Sequence, residues 1–214
     1  MTLNQALEEA KQQFIAHTPA EVQAAMFRQI REQQESGILY GLQEGQKAKD
    51  FTLNNSAGVP VRLYDELAKG PVVLTFYRGG WCPYCSLQLQ AYQKALPEIE
   101  ALGAQLIAVS PQSPDNTLSQ QEKQELRFQV LSDTNGLVAA IYNILYEVPP
   151  YVQEVMTNQF KMSLAEYNAT DRWILPVPST FMIDETGIIR SAYVNPDFMQ
   201  RPAPEDILDQ LRKL

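Results

Sequence analysis

The chain has 214 residues but only two cysteines and one histidine, and these scarcities exclude whole classes of chemistry. Cys82 and Cys85 are too few to ligate a closed zinc site, and His17 lies far from them in sequence. One pair cannot make the disulfide framework of a small secreted domain. Basic residues number 17 against 25 acidic ones, so the net charge is −8 and nothing suggests a face for nucleic acid. No apolar run approaches the roughly 20 residues of a membrane span. The start, Met1-Thr2-Leu3-Asn4-Gln5, lacks the basic region and apolar core of a secretory signal. These absences lead us to expect a cytoplasmic protein that engages neither nucleic acid nor membrane. In such a reducing compartment a cysteine pair is more often catalytic than structural. Neither a metal nor another cofactor is implied.

What is present is enough for one sizeable core: 45% of the residues are hydrophobic and only 20% are charged. Residues 1–44 read as a helical extension. Leu3, Leu7, Ala10 and Phe14 share one face of a first helix. Thr18 reads as the N-cap of a second, with Pro19 at its first position and Glu21 at its third. Val22, Met26 and Ile30 stripe that helix, and Gly37 ends it. The stripes could pack on the core or on a partner chain, so a homodimer is one way to cover them.

Residues 45–214 alternate strand and helix. Phe51–Leu53 and Val59–Leu63 flank turn residues and suggest a hairpin. Strands are expected at Val72–Tyr77, Gln105–Val109 and Phe128–Leu131, separated by helices at Cys82–Leu102 and Asp115–Leu126. A helical turn at Leu137–Tyr142 follows. Residues 143–174, with a helix expected around Val152–Phe160, read as an insertion that could cover a site. Pro178–Asp184 and Ile188–Val194 form a hairpin at the sheet edge, and Pro204–Leu214 a closing helix. The class is α/β, a central mixed sheet with helices on both faces.

The pair sits in Trp81-Cys82-Pro83-Tyr84-Cys85, directly after the buried strand. Two thiols one helical turn apart can close a disulfide with little backbone movement. The N-terminus of a helix also stabilises a thiolate. Pro83 suits the first turn, where its missing N–H costs nothing. Arg78 can add a cation, and Gly79 and Gly80 permit a sharp turn. Trp81 and Tyr84 would rim the site and contact substrate. Pro178 enters a strand, where proline removes a ladder bond. A cis peptide before it would turn that backbone, with its neighbour Val177, toward the cysteines and a substrate.

Four segments carry a family resemblance: Phe51-Thr52-Leu53, Phe76 through Cys85, Ala108-Val109-Ser110-Pro111-Gln112-Ser113 and Pro178 through Asp184. Together they resemble the peroxiredoxin-like branch of the alkyl hydroperoxide reductase/thiol-specific antioxidant (AhpC/TSA) family. The resemblance implies a thioredoxin-like fold, a hydroperoxide or disulfide substrate, and a thioredoxin- or glutaredoxin-like reductant. The family pattern Pro-x-x-x-Thr-x-x-Cys puts Arg78 at the proline, Cys82 at the threonine and Cys85 at the peroxidatic cysteine. The family's activating arginine is replaced near Pro178, which resembles the cis-proline of thioredoxins. Losing one oriented donor typically costs about two to three orders of magnitude in rate, so slower peroxide cleavage is expected.

Three readings follow. The first is a thiol peroxidase, with Cys85 peroxidatic by alignment and Cys82 resolving, or the reverse if exposure rules. The second is a disulfide oxidoreductase with Cys82 as nucleophile. The third is a redox-sensing interaction module that binds through the helical extension.

Overall fold

Apolar, β-branched runs separated by crossover helices build the central sheet of the computed structural model, which describes residues 1–214. The strands are β1 (Thr52–Asn55), β2 (Pro60–Arg62), β3 (Val72–Phe76), β4 (Gln105–Ser110), β5 (Gln129–Ser132), β6 (Leu145–Glu147), β7 (Ile174–Pro176), β8 (Ser179–Ile183) and β9 (Ile189–Val194). Seven of them pair in the order β2-β1-β5-β4-β3-β8-β9, and β6 and β7 form a separate ribbon. β3, β4 and β5 run parallel because helices cross over between them, whereas the β1–β2 and β8–β9 hairpins make both edges antiparallel. The sheet is mixed, as the alternation of elements implied. All five residues of β3 are buried, as expected for a strand covered on both faces.

The helices are α1 (Leu3–His17), α2 (Ala20–Glu35), α3 (Leu63–Leu67), α4 (Pro83–Ala101), α5 (Pro114–Lys123), α6 (Leu137–Ile141), α7 (Pro150–Glu154), α8 (Leu164–Asn168) and α9 (Pro204–Leu211). No helix is long and apolar enough to cross a membrane. α4 turns Cys85, Leu89, Tyr92, Leu96 and Ile99 inward and runs on through Pro97. Leu3 and Leu7 of α1, with Met26 and Ile30 of α2, join the buried cluster that holds both cysteines and Leu89. The extension therefore packs on the main core of its own chain. The opposite face of the sheet has its own cluster, centred on Phe76, Tyr142 and Phe181.

Two local expectations are corrected. Thr18 does not cap α2; it closes α1, donating its N–H to the Phe14 carbonyl, and Pro19 is the N-cap. The junction is secured instead by Gln23, whose Nε2 donates to the carbonyls of Ile15 and Thr18. The chain also contains no cis peptide, so Pro178 is trans. Pairing of β8 with β3 begins at Ser179, so the N–H that Pro178 lacks is not needed in the ladder.

The insertion folds as α7, a π-helical turn at Val155–Gln159, and α8, with Lys161 in the left-handed region (φ 52°). It is bound to α2 through Tyr151, whose hydroxyl donates to Glu32 at 2.6 Å while Arg28 lies 4.2 Å above its ring.

Candidate active site

β3 delivers the chain to Tyr77-Arg78-Gly79-Gly80-Trp81, and Cys82 then caps α4 with Pro83 at its first position. Gly79 adopts φ 154°, and a Cβ there would strike the Trp81 indole. The tight loop thus requires a glycine. A polar trio anchors it: Gln112 accepts from the Gly80 N–H at 2.8 Å. Gln120 Oε1 in turn accepts from Gln112 and from the Tyr77 hydroxyl, each at 2.9 Å.

Cys82 and Cys85 approach to 3.2 Å with no bond between them. They are 1% and 0% exposed. Arg78 reaches Cys82 Sγ at 3.9 Å, its guanidinium lying 4.9 Å from the Trp81 ring and 4.2 Å from that of Phe198. A second guanidinium arrives from the far end of the chain. Arg201, between β9 and α9, donates through Nη2 to Cys85 Sγ at 3.4 Å. Its Nε donates to Gln88 Oε1 at 2.8 Å and its Nη1 to the carbonyls of Phe198 and Gln200.

Both arginines are buried, yet neither forms an ion pair with a carboxylate. A buried cation without a counter-ion is strongly unfavourable, so the sulfurs are the anionic partners at hand. Burial pushes the Cys85 thiol up, but donation from Cys82 and the charges of Arg201 and Arg78 outweigh it. Cys85 is therefore held well below the usual thiol range. Cys82 goes the other way, raised by burial and by sharing its proton with Cys85. Between the two sulfurs the shifts favour the thiolate on Cys85 and the proton on Cys82.

A cavity of about 500 Å³ opens above Cys82, and 11 of its 16 lining residues are hydrophobic. The extension contributes Phe14 and Met26, and the insertion Met156, Phe160 and Met162. Cys85 lies behind Cys82 and does not line it.

The structure brings together five of the seven residues singled out in the sequence: Arg78, Trp81, Cys82, Tyr84 and Cys85. Tyr84 lines the cavity from within rather than at its edge, buried edge-on to Phe198 with ring centroids 5.8 Å apart. Burial, with the nearby negative groups, pushes its hydroxyl up to about 12. Neither Val177 nor Pro178 lines the cavity, and Val177 is packed in the cluster on the other face of the sheet. Arg201 carries no signal in the sequence. It lies 116 positions from Cys85, and no local pattern marks it.

Comparison with known proteins identifies the family. The family model for AhpC/TSA proteins matches residues 44–192. The chain belongs to the AhpC/TSA family. Among AhpC/TSA-like relatives, the bcp protein of Helicobacter pylori strain J99, named as a peroxiredoxin, is 29% identical over 157 residues, covering 72% of this chain and 89% of its own. A thioredoxin-like protein of Bacillus subtilis, YneN, is 29% identical over 154 residues, 72% of this chain and 73% of its own. The crystal structure of peroxidoxin BcpB from Mycobacterium tuberculosis superposes with a TM-score of 0.64 at 21% identity, covering 81% of this chain and 98% of that one. The fold is thus the thioredoxin-like fold of AhpC/TSA proteins.

Proposed function

We propose that this AhpC/TSA protein is a thiol peroxidase that cycles Cys82 and Cys85 between dithiol and disulfide. The observation that carries this reading is the pair of buried guanidiniums, at 3.9 Å and 3.4 Å from the two sulfurs, with no carboxylate to neutralise them. The thiolate, not the thiol, is the nucleophile. The Cys85 thiolate attacks the terminal oxygen of a hydroperoxide and the O–O bond breaks. Sulfur is oxidised to sulfenic acid, and the leaving alkoxide takes a proton from water to become the alcohol. Cys82 then attacks the sulfenic sulfur, water leaves, and the Cys82–Cys85 disulfide forms. An external thiol restores the dithiol.

Cys82 stands where the family carries a hydroxyl and keeps that group's role as donor to the thiolate. Arg78 and Arg201 offer the cations that polarise the O–O bond and hold the departing oxygen. Trp81 and Tyr84 shape the chamber that receives the rest of the peroxide. The working compartment in this reading is a reducing one, such as the cytoplasm.

Access supports a second reading, since Cys82 lines the cavity and Cys85 does not. A disulfide oxidoreductase would use Cys82 first. Single-cysteine variants separate the two. Under the peroxidase reading, Cys85→Ser abolishes hydroperoxide consumption, whereas Cys82→Ser retains one turnover, ending in sulfenic acid that a dimedone-type probe captures. The reverse pattern would exchange the roles, and disulfide reduction without any peroxide consumption would favour the oxidoreductase.

A further inference from the structure

We infer that the methionines walling the cavity above Cys82 are a second site of oxidation by hydroperoxide, and that their sulfoxides close the chamber to apolar peroxides. The inference rests on the proposed cycle for its oxidant only, since it uses neither cysteine. Methionine makes up 4 of the 16 lining residues but only 6 of the chain's 214. The four come from separate segments: Met26 from α2, Met156 from the π-helical turn, Met162 from the link to α8, and Met199 from the stretch between β9 and α9. Packing alone does not ask for sulfur at four converging positions, because leucine fills apolar walls with better-defined rotamers.

Access is the second observation. Cys82 is 1% exposed, whereas Met156, Met199 and Met26 are 1%, 3% and 4% exposed and Met162 is half-buried. A hydroperoxide that enters as far as Cys82 therefore passes thioethers at least as open as that thiol. Met182, on β8, supplies the contrast: it is 5% exposed but does not line the cavity.

Hydroperoxides oxidise a thioether to the sulfoxide. The methionine sulfur attacks the terminal oxygen, and the S–O bond forms as the O–O bond breaks. The hydroperoxide proton passes to the departing alkoxide, which leaves as the alcohol. Sulfur gives up the two electrons that the peroxide gains. A thiolate is the stronger nucleophile, so the thioethers react when peroxide outruns regeneration of the dithiol. Each sulfoxide puts a polar, chiral group where a flexible apolar one stood. Its oxygen is an acceptor in a wall that is mainly hydrophobic, where an unpaired polar group is costly. Met26 and Met156 also belong to the buried cluster where α2 meets the π-helical turn, so their oxidation loosens the wall that receives an apolar peroxide.

Oxidation is mapped on the full chain with its cysteines closed by diamide or replaced by serine, so no peroxidase activity is needed. Cumene hydroperoxide is the oxidant, and peptide mass spectrometry reads the oxygen gained at each methionine. Met26, Met156, Met162 and Met199 should be oxidised at least about fivefold faster than Met182, a difference that vanishes in denaturant. Met182 keeping pace in the folded chain would overturn the site. The wild-type chain is then held in excess cumene hydroperoxide with dithiothreitol as reductant. Its turnover should decay at least about twofold faster than that of Met162→Leu, a volume-conserving change at a half-buried position. Equal decay would overturn the closure assigned to the sulfoxides. Selective oxidation of the cavity methionines in a chain that consumes no hydroperoxide would instead refute the peroxidase reading alone.

Discussion

Replacing Arg201 by methionine removes one of the two cations facing the sulfurs while retaining much of the buried volume. At 3.4 Å, a full thiolate–guanidinium attraction amounts to about 5 kcal/mol for an effective dielectric constant of about 20. That figure is a ceiling, because the thiolate keeps Arg78 and the Cys82 donor, and water can enter the space vacated. Loss of a single oriented charge donor typically slows catalysis by about 10²–10³, or roughly 3–4 kcal/mol. We expect a loss of that size in the second-order rate constant for hydroperoxide, read by stopped-flow mixing at neutral pH. Arg201 lowers the Cys85 pKa, so its removal raises it. The acid limb of the pH–rate profile should move to higher pH, and the deficit should shrink as pH rises. Arg201→Lys, which keeps the charge but not the fork, should lie between. A folded Arg201→Met protein with an unshifted acid limb, its deficit equal at every pH, would refute the reading that Arg201 holds down the Cys85 pKa.

Two further outcomes concern stability. Leu7 is 5% exposed in the cluster that holds the cysteines, so Leu7→Ala should cost about 2–4 kcal/mol in urea unfolding; a change near zero would make the extension an independent appendage. In the β8–β9 turn, hydrogen bonds from Thr186, Ile188 and Arg190 outweigh burial and hold Asp184 at about 2, below its ordinary value. Its contribution is complete above the unfolded value of about 4 and is lost as pH falls through the folded one. Asp184→Asn should therefore lose about 1–2 kcal/mol at neutral pH and show a flatter acid dependence in thermal melts.

Local chemistry was legible in the sequence, and distant assembly was not. The strand–glycine–cysteine–helix run identified the site because β3, its loop and α4 are contiguous, and Arg78 and Trp81 came with them. Arg201 was invisible because it meets Cys85 only when β9 brings the chain back across the sheet. Val177 and Pro178 were assigned to the site on the expectation of a cis peptide before a strand-entering proline; the bond is trans, and Val177 packs in the opposite core. The stripes of α1 and α2 marked buried faces without naming what would cover them. That partner is α4 for the first helix, and α7 with its π-helical turn for the second. Periodicity likewise predicted a helix at Val152–Phe160 but not its change from α to π winding at Val155.

The absence of carboxylates beside Arg78 and Arg201 also bears on redox poise. In the dithiol form one negative sulfur offsets one of the two positive charges of this enclosure. Closing the disulfide discharges that anion while both guanidiniums keep their charge. The oxidised form therefore carries an electrostatic penalty that the reduced form does not, and each 1.4 kcal/mol of it raises the potential of a two-electron couple by about 30 mV. The site is biased to surrender its disulfide readily, so a weakly reducing thiol pool can reset it after each peroxide.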